Sequence, residues 1–311
     1  MTKRKIVLAG GSGFLGKILV EHFSGEEVVV LSRNSRAESS ARVVYWDGRT
    51  LASWTDELEG ADVVINLSGR SVDCRYTPKN RQLIMDSRVD STRVLGEAIA
   101  RCSQAPEVWI NLSTATIYKH RYGEAHGELN GEIGASAEAH DLFSIEVAQA
   151  WEKAFSEAHT PETRKITLRS AMVLGHRAGV YPVLRRLTRL GLGGTMADGK
   201  QWVSWIHEFD CCAAVDWLIA HKTAHGVYNL SAPNPIRNAA MMGVFRKAFG
   251  VPFGLPSSLW MLTVGAFFMR TEIELVIKSR KVVPTRLLEE GFSFQFEHFA
   301  DAITQLSQPE N

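Results

Sequence analysis

Short apolar runs alternate with helix-like segments through the first half of the chain, and this alternation indicates the fold class. Apolar runs typical of β-strands cover residues 5–9, 27–32, 42–45, 62–67, 107–112 and 165–169. Helical patterns cover residues 14–23, 81–102 and 142–159. We therefore predict an α/β protein with a doubly wound parallel sheet, whose ligand crevice lies at the carboxyl ends of the strands.

The alternation weakens after about residue 170, which predicts two parts. We expect a dinucleotide-binding domain over residues 1–170, with a sheet that also accepts later strands. A smaller substrate lobe is expected over residues 171–311, in which residues 236–311 form a mainly helical C-terminal domain. Residues 119–141 are rich in Gly, Glu, His and Ala and lack apolar periodicity. We interpret them as a mobile surface loop near the crevice.

A glycine-rich stretch follows the first predicted strand and carries the clearest chemical signal in the chain. Residues 10–16 read Gly-Gly-Ser-Gly-Phe-Leu-Gly and lead directly into a helical pattern. Gly10 permits a tight turn, Gly13 lets the backbone approach a pyrophosphate, and Gly16 lets the helix pack close to the strand. This placement predicts a Rossmann-type dinucleotide site rather than a glycine-rich structural turn. Its predicted members are Gly10, Ser12, Gly13, Phe14, Leu15 and Gly16.

The end of the second predicted strand distinguishes the two nicotinamide dinucleotides. An NAD site usually carries an acidic residue there, which accepts hydrogen bonds from the ribose 2′-hydroxyl. This sequence has Ser32 and Arg33 instead, and Arg36 follows. Because an arginine attracts a 2′-phosphate that a carboxylate would repel, we predict NADP(H) as the cofactor. The alternative for Arg33 is a solvated loop charge.

More crevice candidates follow the later predicted strands. Asp47 and Trp46 end the third strand, where they are expected to border an adenine. Gly69 follows the fourth strand and permits close approach of the backbone to a cofactor. Arg88, on the long helix after it, either faces a phosphate or forms a salt bridge.

The composition excludes several classes of protein. Hydrophobic residues make up 45% and charged residues 22% of the 311 residues, which is ordinary for a globular protein. The net charge of +1 predicts neither nucleic acid nor an anionic membrane as a partner. The four cysteines show no CxxC spacing, so we expect a reduced, cytoplasmic setting and no metal site.

A strand begins within a few residues of Met1, so no signal peptide is expected. The apolar residues 259–269 are too few to cross a bilayer, and they predict a buried helix or an oligomer contact such as a homodimer's.

Several motifs together resemble one known group of proteins. The motifs are Gly10-Gly-Ser-Gly-Phe-Leu-Gly16, Asn66-Leu-Ser-Gly69, Asp86-Ser-Arg88, Leu168-Arg-Ser-Ala-Met-Val-Leu-Gly175, Leu190-Gly-Leu-Gly-Gly194, Gly199-Lys-Gln-Trp-Val-Ser-Trp-Ile-His207 and Ala232-Pro-Asn-Pro-Ile-Arg-Asn238. Over nearly its whole length the chain resembles the extended short-chain dehydrogenase/reductase superfamily. Within that superfamily it is similar to an atypical epimerase-like group with a C-terminal domain of unknown function, whose members are commonly labelled nucleoside-diphosphate-sugar epimerases. The resemblance implies a Rossmann-type domain, NADP(H) binding and a second lobe for substrate. The cofactor contacts that it implies are Ser32, Arg33, Leu67, Ser68 and Arg88.

The resemblance also exposes a gap in the catalytic residues. Extended members of the superfamily use a Ser or Thr, a Tyr that acts as acid and base, and a Lys four residues after the Tyr. By position Thr114 matches the Ser or Thr, and Ser113 beside it is expected to contact the cofactor. Phe143 and Val147 occupy the positions of the Tyr and the Lys, and neither can titrate. No other Tyr-x-x-x-Lys occurs in the chain.

Candidate substitutes for the missing pair follow the fifth strand or lie on the next helix. We name Tyr118 as a candidate catalytic residue beside Thr114, with Lys119 next to it. Glu146 would act as a base if burial raised its pKa. The structural alternatives are a packed aromatic ring for Tyr118 and a solvated carboxylate for Glu146. His207 is interpreted as a helix-start or hinge residue.

Two functions remain open at this point. One is an NADP(H)-dependent, epimerase-like oxidoreductase that acts on a small carbonyl or sugar-nucleotide substrate with a non-standard acid and base. Trp202, Trp205 and Arg237 are then available to line a substrate pocket. The other is a non-catalytic NADP(H)-binding sensor or interaction protein, which the loss of both catalytic side chains favours.

Overall fold

Seven parallel strands form the main sheet of the protein. The computed structural model describes residues 3–34, 39–262 and 274–308. The strands are β1 (Lys5–Ala9), β2 (Glu27–Ser32), β3 (Arg42–Tyr45), β4 (Val63–Asn66), β5 (Val108–Thr114), β6 (Arg164–Ser170), β7 (Met172–Leu174), β8 (Trp202–Val203), β9 (Trp205–His207), β10 (Gly226–Leu230) and β11 (Ile236–Arg237). The main sheet has the order β10-β6-β5-β4-β1-β2-β3, and every neighbouring pair is parallel. The predicted fold class is confirmed, and the sheet takes its last strand from beyond residue 170.

Helices cover both faces of this sheet. On one face lie α1 (Phe14–His22) and α5 (Glu208–Ala220), and on the other lie α2 (Pro78–Ile99) and α3 (Leu142–Glu157). Two further helices, α4 (Val180–Arg189) and α6 (Asn238–Ala248), belong to the C-terminal part. Side chains alternate along each strand, so Ile6 and Leu8 join the core on the side of α1 and α5, whereas Val7 and Ala9 join the core on the side of α2. The chain reverses its direction of winding between β1 and β4, which places a ligand crevice at their carboxyl ends.

The C-terminal part is mainly helical and has its own apolar core. Short helices at Glu274–Ile277 and Thr285–Glu289 precede a final helix at Phe299–Ser307. Tyr181 of α4, Phe245 of α6, Trp205 and Ile303 are buried together in this core. The final helix therefore packs in one core with α4 and α6 rather than extending as a tail.

The stretch from residue 119 to residue 141 is anchored by two buried residues, although its centre, including Leu129 and Ile133, is exposed as expected of a surface loop. His126 is fully buried and pairs with Val282 in an isolated β-bridge. Asp141 is fully buried and forms an ion pair with Lys278. Both anchors attach the stretch to the C-terminal segment that follows residue 273.

The apolar residues 259–269 are described only as far as residue 262, and the rest of this prediction lies outside the described residues. Leu259, Trp260 and Met261 are exposed, so the described part is not the buried helix that we expected. Across the described ranges, the model has no helix that is both long enough and apolar enough to span a membrane.

Candidate functional site

The glycine stretch forms the turn that leads from β1 into α1, as the sequence predicted. Gly10 has a φ of +75°, and a Cβ there would lie 2.7 Å from Ser68 Oγ. A Cβ at Gly16 would lie 2.0 Å from the carbonyl oxygen of Gly11, so the helix packs directly on the turn. Gly13, the N-cap of α1, is different, because a Cβ there meets nothing within 4 Å. The space above Gly13 therefore faces outward from the protein.

The N-terminus of α1 fits a phosphate group. No side chain caps this end of the helix among the described residues. The first N–H groups of a helix lack partners within it, and together with the helix dipole they favour an anion. Ser12 and Gly13 are exposed, and Phe14 and Leu15 are partly exposed. The open space at Gly13 and the uncapped amides thus meet the requirements of a pyrophosphate.

The end of β2 presents a cation and no carboxylate. Arg33 is exposed directly after the strand. Ser32 is buried and its hydroxyl accepts a hydrogen bond from the backbone N–H of Asn34 at 3.1 Å. This hydrogen bond orients the turn, and Arg33 lies within it at the carboxyl end of β2, the strand that pairs with β1. Arg36 lies outside the described residues.

At the end of β3, Trp46 turns inward while Asp47 stays partly exposed, and the contact of Asp47 with an adenine stays a prediction. Trp46 is buried in the core, where its ring lies 5.5 Å from that of Trp54. The Asp47 carboxylate closes a turn by accepting hydrogen bonds from the N–H of Arg49 at 2.8 Å and from the hydroxyl of Thr50 at 2.6 Å. Although burial opposes its charge, these hydrogen bonds lower the pKa of Asp47. The structure thus gives Asp47 a local structural role and turns the Trp46 ring inward.

Leu67, Ser68 and Gly69 follow β4 and lie beside the glycine turn. The N–H of Leu67 donates to the carbonyl of Ala9 at 2.8 Å, which holds this segment against the end of β1. The Ser68 hydroxyl is buried without a hydrogen-bond partner among the described residues. An orphaned buried hydroxyl beside the turn is what a missing ligand would leave behind.

Arg88 lies against Gly69 and combines burial with positive charge. A Cβ at Gly69 would lie 3.0 Å from Arg88 Cζ. The Arg88 guanidinium donates to the carbonyl oxygens of Arg70 and Ile84, both at 3.1 Å, and it lies 5.1 Å from the centre of the Trp151 ring. Burial lowers its pKa to about 10. The described residues offer it no carboxylate partner, so the predicted salt bridge is absent there.

A cavity of about 250 Å³ opens at the carboxyl ends of β5 and β6. Its walls include Arg88, Ser113 and Thr114. Phe143 and Val147 of α3 line the same cavity, so the two positions that lack the expected Tyr and Lys do face the candidate active site. The cavity therefore has an apolar wall at the two positions where the resemblance places the titratable pair.

Tyr118 does not reach this cavity. Its side chain is fully buried, its hydroxyl donates to Asn229 Oδ1 at 2.9 Å, and it accepts a hydrogen bond from Arg169 at 3.0 Å. Burial raises the pKa of Tyr118 despite the nearby guanidinium. The short 3₁₀ turn over Ala115–Ile117 directs the chain inward after Thr114. This placement argues against the predicted catalytic role and favours the alternative of a packed aromatic ring.

Ser113 belongs to the same buried network. Its hydroxyl donates to Glu152 Oε1 at 2.6 Å, and Glu152 is paired with Arg169. Ser113 therefore borders the cavity while its hydroxyl is engaged elsewhere. Thr114 is partly exposed, and its hydroxyl accepts from the N–H of Thr116 at 3.1 Å, which leaves its own hydrogen available to a ligand.

Of the remaining candidates, none contributes an acid or base to the cavity. Glu146 is exposed on α3, and Lys119 is paired with Glu132. His207 caps α5 by accepting from the N–H of Phe209 at 3.0 Å, as the helix-start interpretation predicted.

The aromatic residues of the second lobe also lie outside this cavity. Trp205 is buried in the C-terminal core. The Trp202 ring contacts two cations, with Arg237 Cζ at 4.5 Å and Lys281 Nζ at 4.7 Å from its centre. These contacts give both rings packing roles.

The sequence analysis missed one tyrosine of the cavity. Tyr76 precedes α2 and lines the cavity, where its ring meets that of Phe143 edge-on at 5.0 Å. Its hydroxyl donates to Glu274 Oε1 at 3.2 Å, and the hydroxyl of Ser144 donates to the same oxygen. No local signal marks this group, because Tyr76 and Glu274 are separated by 198 positions.

Comparison with known proteins agrees with this geometry. The model of the NAD dependent epimerase/dehydratase family matches residues 6–231, which is more than half of the chain. The chain belongs to this family. A domain of unknown function, DUF1731, matches residues 259–306. The family match spans the glycine turn, the cavity and β10, whereas the DUF1731 match contains Glu274.

The similarity to known relatives extends over nearly the whole chain. Epimerase family protein YfhF from Bacillus subtilis is 28% identical over 305 residues, 97% of each chain. The crystal structure of human epimerase family protein SDR39U1 (isoform2) with NADPH is 25% identical, with a TM-score of 0.84 over 97% of this chain and 98% of that chain. A nucleoside-diphosphate sugar epimerase from Corynebacterium glutamicum is 26% identical, with a TM-score of 0.74 over 98% of this chain and 58% of that one. The similarity therefore covers both the sheet and the C-terminal part.

Proposed function

We propose that this protein is an NADP(H)-dependent, epimerase-like oxidoreductase that acts on a small carbonyl compound or the corresponding alcohol. The observation that carries the proposal is the position of the cavity, which opens at Thr114 on the same sheet edge as the glycine turn. The similar human protein crystallised with NADPH supports the choice of cofactor.

The residues that would hold the cofactor follow from the geometry. The amides after Gly13 suit the pyrophosphate, Arg33 suits the 2′-phosphate, and the orphaned Ser68 hydroxyl and the Arg88 guanidinium suit polar groups nearer the cavity. When bound, a nicotinamide dinucleotide supplies or accepts a hydride. Thr114 would donate a hydrogen bond to the substrate oxygen and orient it in the cavity.

The size of the cavity favours a small substrate. Pockets for drug-sized ligands usually enclose about 300–1,000 Å³, whereas this cavity encloses about 250 Å³. Phe143, Val147 and Ala148 give one wall an apolar surface. A small aldehyde or ketone with an apolar substituent suits these dimensions better than an intact sugar nucleotide.

A direct assay tests this proposal. Binding of NADPH and NADH is measured by fluorescence, and NADPH oxidation is then followed with diacetyl, benzaldehyde and menadione, together with UDP-glucose conversion in the presence of NADP⁺. We expect tighter binding of NADPH than NADH and turnover of at least one carbonyl. Binding of NADPH without turnover of any of these compounds would instead favour a non-catalytic NADP(H)-binding protein, the function that Phe143 and Val147 support.

A further inference from the structure

The cavity contains a titratable group that the superfamily's usual pattern does not supply. Tyr76 lines it together with Thr114, and Phe143 stands against the Tyr76 ring. Phe143 occupies the position of the missing catalytic tyrosine. A phenol group thus lies beside this position, but it comes from the segment before α2 instead of from α3.

The Tyr76 hydroxyl is held by a carboxyl group that retains only a small exposed fraction. Glu274 is 5% exposed, and its Oε1 accepts hydrogen bonds from both Tyr76 and Ser144. Ser144 follows Phe143 directly on α3 and also lines the cavity. Two donors from separate elements therefore fix the Glu274 carboxyl against the phenol.

The charged groups around Glu274 come from the same C-terminal segment and from the start of α3. They are Lys278, Arg280 and Asp141, of which Lys278 and Asp141 form a buried ion pair. Burial raises the pKa of Glu274, and the two hydroxyl donors and Lys278 only partly oppose this. Burial likewise lowers the pKa of Lys278 to about 8. Burial therefore makes this carboxyl group easier to protonate than a carboxyl group in water, and it holds the group against the Tyr76 hydroxyl.

We infer that Tyr76 is the catalytic acid and base of this protein and that Glu274, through its hydrogen bond to Tyr76, is the positioning residue that relays the proton. The inference rests on the proposed oxidoreductase function. In carbonyl reduction, a bound reduced nicotinamide would supply the hydride for the carbonyl carbon, and the Tyr76 hydroxyl gives its proton to the carbonyl oxygen. Tyr76 recovers a proton from the Glu274 carboxylic acid, which becomes a carboxylate and is reprotonated from solvent. Alcohol oxidation follows the same path in reverse.

The test combines kinetics with a spectroscopic measurement on the full-length protein. Tyr76→Phe keeps the ring that packs on Phe143 and removes only the hydroxyl. With diacetyl, benzaldehyde and menadione as probes, we expect kcat to fall roughly 100-fold or more, while KM and the Kd for NADPH stay unchanged. Glu274→Gln should remove one limb of the pH profile of kcat. Tyr122→Phe, which changes an exposed tyrosine outside the cavity, is the matched control. It should change neither kcat nor the pH profile of kcat.

The spectroscopic measurement does not depend on turnover. The chain has six tyrosines, so isotope labelling of the tyrosine rings gives a small set of NMR signals, and Tyr76→Phe identifies the signal of Tyr76. Glu274→Gln should lower the pKa of Tyr76, because it removes a neighbouring negative charge. The inference would be overturned if the pKa of Tyr76, read from its NMR signal, were the same in Glu274→Gln as in the wild type. A normal kcat in Tyr76→Phe would also overturn it, and either result would leave the proposed function intact. If the wild-type protein binds NADPH but turns over none of the probes, the proposed function fails and the inference fails with it.

Discussion

Arg169 and Glu152 form a two-pronged ion pair beneath the cavity. Arg169 Nε donates to Glu152 Oε1 at 2.9 Å, and Nη2 donates to Oε2 at 2.8 Å. The Arg169 side chain is only 7% exposed, so it has little access to water. This pair joins β6 to α3 and also holds the hydroxyls of Ser113 and Tyr118.

Glu152→Gln should therefore destabilise the protein strongly. The substitution leaves the Arg169 charge buried and uncompensated, which costs about 3–5 kcal/mol. Urea unfolding at neutral pH measures the effect. Glu157→Gln, on the exposed face of the same helix, is the control and should change the free energy of unfolding by about 0.5 kcal/mol or less. If both variants lost the same free energy of unfolding, the buried pair would contribute no more to stability than an exposed one.

Tyr118→Phe should affect stability but not function. The variant leaves Asn229 and Arg169 each short of one hydrogen-bond partner, which costs about 1–3 kcal/mol. NADPH affinity and any carbonyl turnover should match the wild type, because Tyr118 lies outside the cavity. A selective loss of kcat in a folded Tyr118→Phe variant would restore this residue as a catalytic candidate.

Gly13→Val should abolish dinucleotide binding without disturbing the fold. A side chain at this position meets no protein atom within 4 Å, and the φ of −81° is accessible to valine. It would occupy the space that a pyrophosphate needs. Calorimetric titration with NADPH and thermal unfolding are measured together. Gly25→Ala, at another position with free space around it, is the control and should bind normally. Retained NADPH binding by folded Gly13→Val would contradict the phosphate-turn assignment.

Gly16 offers the opposite test of the same turn. A Cβ there would lie 2.0 Å from the Gly11 carbonyl oxygen, so Gly16→Ala must displace α1 from the turn. We expect a lower Tm for Gly16→Ala and an unchanged Tm for Gly13→Val. Similar Tm values for both variants would show that the close contact between helix and turn does not matter for stability.

Arg33→Ala should weaken NADPH binding far more than NADH binding. A charge-assisted hydrogen bond contributes about 1.5–3 kcal/mol, so the Kd for NADPH should rise about 10- to 150-fold. NADH lacks the 2′-phosphate and should lose little affinity. Arg93→Ala, which removes an exposed arginine of α2, is the control. If Arg33→Ala weakened the binding of NADPH and NADH equally, the assignment of Arg33 to the 2′-phosphate would be wrong.

Stability should decrease in weak acid because of His207. Burial lowers the pKa of His207 to about 4 from a usual 6.5. Between these values the unfolded chain binds a proton that the folded protein does not, so stability falls as the pH drops through this window. Linkage gives a loss of about 2.5 kcal/mol from this group at about pH 4.5. His207→Asn keeps a side chain able to cap α5 and should remove this part of the pH dependence in urea unfolding. An unchanged dependence would assign it to other groups such as His126, whose pKa burial also lowers to about 4.

The sequence predicted well those parts of the protein whose structure is determined by residues close together in the chain. The strand bounds 5–9, 27–32 and 42–45 agree with the structure, because apolar runs between turns leave few alternatives. The glycine turn follows from spacing within seven residues. The second long helix begins earlier than predicted, since Thr77 caps it and Pro78 occupies its first turn.

The candidate catalytic group, Tyr76 with Glu274, was not predicted, because no pattern of neighbouring residues marks it. Tyr118 follows Thr114 closely in sequence, yet a single 3₁₀ turn moves its ring into the core. Tyr76 faces the cavity only because α2 and α3 pack together, and its carboxyl partner comes from beyond residue 273. Spacing along the chain cannot reveal a pair that tertiary packing assembles.

The hydrogen bond between Tyr76 and Glu274 of the C-terminal segment has a consequence for biosynthesis. The main sheet is complete when β10 has emerged from the ribosome at Leu230, whereas Glu274 emerges later. Domains generally fold during synthesis from the N-terminal side. We expect a nascent chain to acquire its dinucleotide turn first and its proton relay last, so that a prematurely terminated product would retain the cofactor without carrying out the chemistry.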